Sequence, residues 1–212
     1  MAGPIDAVRV FHNAFRKDMA VIDAAALGDA RDRPGLAQSI ERFRFLNEVL
    51  VWHAQGEEVA IFPLLETVAP SVAWTYEQDH RGLDAAYDAF SAAVSARDKL
   101  ETARASAALK FHLDLHLAKE DAHLYRLIRE RVPLPEQGMA VGVMASSVPQ
   151  ARFPEVVAWL FPLVGHVDRE TMTRAYKAVM PPEAFARVSQ LVRQAIGDDD
   201  WVELKRRVPE LE

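Results

Sequence analysis

The sequence predicts an all-α protein: an up-down-up-down four-helix bundle followed by a C-terminal extension of short helices. Three observations carry this. Apolar residues recur with helical period through most of the chain, and no stretch alternates for long with period two. Ala and Leu are abundant, β-branched residues are scattered, and hairpin turn signals are missing. The connections between the first four helical stretches are short, which makes neighbouring helices antiparallel.

The first helix is expected from near Ile5, just after Pro4, to about Leu27. Gly28, Pro34 and Gly35 punctuate the loop that follows. A second helix is expected over roughly Leu36 to Glu66, with Pro63 kinking or tightening its last turns because it lacks a backbone donor. Pro70 and Ser71 mark the start of a third, which ends near Ala96. The fourth runs from about Leu100 to Arg131 and is stopped by Pro133 and Pro135. Pro, Gly and Ser then cluster between Val132 and Pro154 and read as a break. Short helices are expected over Pro154 to Val164, Asp168 to Val179 and Pro182 to Ile196, with a last turn or two around Trp201. Gly197 reads as a residue just past a helix end, and Asp198 as a cap. This tail carries Trp159, Phe161, Phe185 and Trp201, too much apolar surface for a disordered linker. Two units follow: residues 1–132 as the bundle, and 133–212 as an extension packed on the bundle or on a partner subunit.

Composition narrows the function. The chain has 212 residues, half of them hydrophobic, enough for a sizeable core. Its net charge is −6, and Lys and Arg form no basic block, so nucleic acid is not an expected partner. With no cysteine, disulfides, thiolate metal sites and cysteine nucleophiles are excluded. The first residues show no leader-like pattern, and no apolar run reaches spanning length. A soluble cytoplasmic protein with no membrane partner is expected.

Two segments read almost alike. His53-Ala-Gln-Gly-Glu57-Glu58 runs on to Ile61-Phe62-Pro63-Leu64-Leu65. His116-Leu-Ala-Lys-Glu120-Asp121 runs on to Leu124-Tyr125-Arg126-Leu127-Ile128. A spacing of four puts His and Glu on one helix face, one turn apart. Each segment follows a helical stretch with a lone His, His12 and His80. Four helices thereby supply four imidazoles and two carboxylates to one internal layer. Burying an unpaired carboxylate costs several kcal/mol, and two facing each other add repulsion. One or two divalent cations remove both penalties. Imidazole and carboxylate without sulfur suit iron, manganese or zinc. A third echo, Leu160-Phe161-Pro162-Leu163-Val164, has Arg152 and Val156 in place of His and Glu. If it is a third copy, that copy has lost its site.

The order His12, His53-x-x-x-Glu57, His80, His116-x-x-x-Glu120 resembles the hemerythrin-like, or HHE cation-binding, domain. Phe11-His12, Glu57-Glu58 before Phe62-Pro63, Asp79-His80-Arg81-Gly82-Leu83 and Leu124-Tyr125 agree with it. The resemblance covers about Ile5 to Arg131. It implies two iron ions in an oxo- or hydroxo-bridged non-haem di-iron centre, held by His12, His53, Glu57, His80, His116 and Glu120. It also implies a position open to dioxygen or a related small molecule such as peroxide or nitric oxide. Oxygen-carrying hemerythrins differ: they have a His pair one turn apart on the third helix, and an Asp five after the His on the fourth. Here the third helix offers only His80, with Tyr76 and Asp84 four residues away. His112, His123 or a water remain as sources of a further ligand, although His112 reads better as an outer or exposed side chain and His123 as packing. Glu58 and Asp121 read as solvated charges or as acceptors for a neighbouring His. Tyr76 and Tyr125 have two readings, core packing first and donation to a bound oxygen species second; the other aromatics read as core, and His166 as structural.

Three functions fit: a small-molecule sensor, an enzyme turning over dioxygen, peroxide or nitric oxide, or a helical interaction module whose tail recruits partners, with metal serving only folding; the extension also offers a route to a homo-oligomer. A ferritin-like oxidase would want Glu-x-x-His on two helices, which these sites lack.

Overall fold

The computed structural model describes residues 3–32 and 36–211, with the Gln38 side chain excepted. The punctuation expected at Pro34 and Gly35 lies outside them. The described residues are helical, with no strand among them. Helices α1 (Asp6–Asp29), α2 (Leu36–Gly56), α4 (Ala73–Ala96) and α5 (Lys99–Lys119) form the four-helix bundle. Helix α1 packs against α2 and α5, and α5 against α4. Phe15, Met19, Ile22, Leu46, Phe90 and Leu113 fill its interior.

The second helix is interrupted near the Pro63 kink expected of it, and the fourth, expected to be continuous, is interrupted as well. At Glu57–Ile61 and again at Glu120–Leu124 the backbone widens into a π turn. The chain then resumes α geometry in α3 (Phe62–Val68) and α6 (Tyr125–Arg131). Pro63 lies in the first turn of α3, just past the first widening. It is not the cause: the second copy has Arg126 there and widens in the same place. Such single widened turns occur often at functional sites.

The third bundle helix begins later than Pro70 and Ser71 suggested. Ser71 adopts a left-handed conformation (φ 68°). The Glu66 carboxylate then accepts from the Ser71 and Ala73 backbone amides, at 2.7 and 2.8 Å, and satisfies donors at the start of α4. The start of α5 is capped by Asp98, whose side chain accepts from Glu101 N at 3.0 Å.

The break expected between Val132 and Pro154 is largely replaced by α7 (Leu134–Ala145). Its prolines occupy the helix start, where a missing amide costs nothing. The buried Gln137 amide donates to Val132 O at 2.8 Å and ties the helix to the end of α6. Beyond a 3₁₀ turn at Gln150–Arg152 come α8 (Phe153–Leu163), α9 (His166–Val179) and α10 (Pro182–Arg207). Gly197 interrupts α10 with φ 78° and ψ 175°, a conformation essentially reserved for glycine.

The extension packs on α1. Ala7, Val10 and Ala14 of that helix join Leu160, Phe161, Met172, Val192, Trp201 and Leu204 in one apolar cluster. Trp159 reaches further in. Its ring meets Phe15 at 5.5 Å, and its indole N–H donates to the buried Asp18 carboxylate at 2.7 Å. Asp18 also accepts from Arg42 of α2, so one carboxylate links α1, α2 and α8. No helix among the described residues is long and apolar enough to cross a membrane.

Candidate metal centre

The six side chains singled out from the sequence meet in the bundle interior. All are buried: His12, Glu57 and Glu120 completely, and His53, His80 and His116 to within 7% exposure. They form two groups whose ligand-capable atoms lie within 4.8 Å of one another. One is His12, His53, Glu57 and Glu120; the other is Glu57, His80, His116 and Glu120. The two glutamates belong to both.

The oxygens divide between the groups. Glu57 Oε1 is 3.3 Å from His53 Nε2 and 4.0 Å from His12 Nε2, while its Oε2 is 3.4 Å from His80 Nε2. Glu120 Oε2 is 3.5 Å from His12 Nε2, and its Oε1 is 3.3 Å from His116 Nε2. His12 and His53 bring their Nε2 atoms to 3.1 Å. Atoms sharing one ion at roughly 2.1 Å are separated by this order of distance. Glu57 Oε2, His80 Nε2 and both Glu120 oxygens are buried without a hydrogen-bond partner. Orphaned acceptors of this kind are costly unless an ion satisfies them. The donor set therefore fits metal cations, with both glutamates in reach of either group.

The electrostatics of the cluster agree. Burial pushes the Glu120 carboxyl well above its usual range, and the charges of Glu57, Asp121 and Asp79 push it the same way. Burial acts on Glu57 too, but the imidazoles of His53, His80 and His12 outweigh it and hold its carboxyl well below the usual range. The two carboxyls are thus pushed in opposite directions, Glu57 toward its ionised form and Glu120 toward its protonated form, as expected when two like charges share a dry site. Burial lowers His12, and lowers His116 to about 4, leaving both imidazoles neutral and able to ligate. A ligand carboxyl pushed toward its protonated form gives up a proton to a cation, so metal affinity is expected to fall as pH falls, which a metal titration at two pH values checks.

Each lone His is oriented by the acid that follows the other half's glutamate. His12 Nδ1 meets Asp121 Oδ1 at 2.9 Å, and His80 Nδ1 meets Glu58 Oε1 at 2.8 Å. Such contacts fix the ring and turn Nε2 to the centre. Of the two readings open for Glu58 and Asp121, the structure selects the acceptor.

The π turns bring a second pair inward. Five residues after each glutamate stand Phe62 and Tyr125. Phe62 stacks on His80 with centroids 5.3 Å apart, and Tyr125 meets His12 edge-on at 5.5 Å. The Tyr125 hydroxyl donates to Glu57 Oε1. It reads from sequence first as core, and its position five residues after Glu120 becomes meaningful only once the turn is known to widen. Gly56 carries no chemistry but sets the geometry: a Cβ there would lie 2.9 Å from the Met144 carbonyl oxygen of α7. His112 and His123 are exposed and do not reach the centre. His166 is also exposed.

The family comparison matches this arrangement. The model of the hemerythrin HHE cation-binding domain matches residues 3–77, the part that holds His12, His53 and Glu57. Over those residues the chain is similar to that domain. Its second half repeats the constellation outside the matched residues, with His80, His116 and Glu120 in mirrored places. The chain is also similar to zinc finger protein BRUTUS of Arabidopsis thaliana, 26% identical over 187 residues, 85% of this chain and 15% of that protein. Two BRUTUS-like zinc finger proteins of the same plant are 25% identical over 186 residues and 21% over 201 residues. These alignments cover 82% and 89% of this chain, and 15% and 16% of the relatives. The chain thus spans about 15% of the length of the curated relatives it matches. No solved structure matches it.

Proposed function

We propose that His12, His53, Glu57, His80, His116 and Glu120 hold two iron ions, and that this centre binds dioxygen, peroxide or nitric oxide for sensing or redox turnover. The supporting observation is the division of the two buried carboxylates between two His pairs. It offers each position two imidazole nitrogens and two carboxylate oxygens. Four protein donors leave iron, which commonly takes up to six, room for an outside ligand. Bound iron would supply a reversible change of oxidation state at that position.

The chain's own residues do the rest. Asp121 and Glu58 fix the His12 and His80 rings. The Tyr125 hydroxyl donates a hydrogen bond to Glu57 Oε1. Phe15 packs edge-on against His53 at 5.1 Å, and Phe62 covers His80, so apolar walls limit water around the ligand atoms. The exposure of His112 and His123 leaves four imidazoles, fewer than the oxygen carriers use, which favours sensing or turnover over storage.

The test is anaerobic loading with iron(II), followed by absorption spectra under nitrogen, air and nitric oxide. Air is expected to convert the protein to an oxidised spectrum that vacuum does not reverse. A spectrum that returns under vacuum would make the chain a carrier. One that ignores air and nitric oxide alike would leave metal with a folding role only.

A further inference from the structure

The two halves of the centre are related by an internal pseudo-symmetry, and three contacts break it. The first is on Glu57. Its Oε1, which faces His53 and His12, accepts from the Tyr125 hydroxyl. Its Oε2, which faces His80, accepts from nothing. The reason lies in sequence: the place occupied by Tyr125 in the second copy is held by Phe62 in the first, and a phenyl ring has no proton to give.

The second contact is on the orienting acids. Asp121, which holds His12, is clamped by Arg16 at 2.7 Å. Glu58, which holds His80, is 45% exposed, and among the described residues no cation sits on it. A carboxylate already shared with a guanidinium lends less negative charge to the imidazole it orients.

The third is the outer charge. Around His12 and His53 stand Asp121 and Arg16, which cancel. Around His80 and His116 stand Glu58, Asp79 at 3.7 Å from His116 Nδ1, and Lys119 on Asp79. That side keeps one extra negative charge.

All three differences act in the same direction. We infer that the two metal positions are unequal: the one between His80 and His116 is the tight position, and the one between His12 and His53 is labile, with Tyr125 and Arg16 setting the difference. This rests on the dinuclear reading above. Its consequence is a centre that gains and loses one divalent cation while retaining the other, so occupancy of the labile position follows free metal. Tyr125 and Arg16 are positioning residues here, acting through Glu57 and Asp121.

Manganese(II) is a suitable probe, because an isolated ion and a coupled pair give different paramagnetic resonance signals. The full chain is titrated anaerobically against a competing chelator. The first equivalent should give the isolated signal and the second the coupled one, with affinities at least about tenfold apart, the scale of one hydrogen bond to a charged group. His12→Ala should keep the tight ion, and His80→Ala should keep only weak binding. Tyr125→Phe should raise affinity at the labile position by roughly tenfold, freeing the Glu57 oxygen. Arg16→Gln should act in the same direction and serves if Tyr125→Phe does not fold. A merely structural role for Tyr125 would instead lower both affinities.

Equal affinities in the wild-type chain, loss of the tight ion in His12→Ala, or weakened labile binding in both Tyr125→Phe and Arg16→Gln would overturn the inference. A single ion bound by the wild-type chain, lost in His80→Ala and kept in His12→Ala, would sink the dinuclear reading while upholding the inequality. No binding at all would sink both.

Discussion

Glu120→Gln is expected to abolish binding of both metal ions while leaving the metal-free fold almost untouched. Burial and the neighbouring Glu57 charge push the Glu120 carboxyl toward its neutral form, so a neutral amide of the same shape replaces it at little cost. With metal present the same change withdraws a donor from both positions at once, because one oxygen faces His12 and the other His116. Glu57→Ala should be equally severe for metal. The loss should exceed the ~10–100-fold typical of removing an outer partner of a ligand. His112→Ala, at an exposed position, should bind as the wild type does. Elemental analysis after iron reconstitution, beside thermal unfolding of the metal-free proteins, checks both halves. Equal metal loss from His112→Ala would mean that the ligand set is wrong.

Gly56→Ala should destabilise the protein by about 1–3 kcal/mol, the range of overpacking in a tight core. The added carbon would stand 2.5 Å from Met144 Cγ, which can yield, and 2.9 Å from the Met144 carbonyl oxygen, which is backbone and cannot. Helix α7 must then move off the turn that carries Glu57, so metal affinity should fall as well. Gly82→Ala is the control. Nothing lies within 4 Å of a Cβ there, and alanine in mid-helix should stabilise by up to about 1 kcal/mol. Denaturant unfolding of the two variants compares them directly. Equal effects would mean that the contact between α7 and Gly56 is not tight.

The contrast between these two glycines illustrates what the sequence could convey. The ligand layer was legible because His-x-x-x-Glu is a local signal: a spacing of four means one helix face whatever the tertiary structure does. Its duplication, each time after a lone His, made the four-helix arrangement legible too. The π turns were not, because nothing in Glu57–Ile61 or Glu120–Leu124 forbids an ordinary α turn. Hidden with them was the inward position of Tyr125, which in a regular helix would lie about a quarter-turn away. Gly56 was opaque for another reason: its neighbour, Met144, is far off in sequence. Helix α7 was misread because Pro133, Pro135, Gly138 and Gly142 read as breakers, although Pro near a helix start is a beginning as often as an end. The partners of His12 and His80 are crossed between halves, so adjacency in sequence left two readings open for Glu58 and Asp121 that only packing could separate.

The central claim is that two buried glutamates span two metal positions. Anomalous diffraction at the iron edge, from crystals loaded anaerobically, tests it most directly. The account predicts two peaks per chain, one beside His12 and His53 and one beside His80 and His116, with Glu57 and Glu120 reaching both. A single peak, or iron bound away from these six side chains, would contradict it.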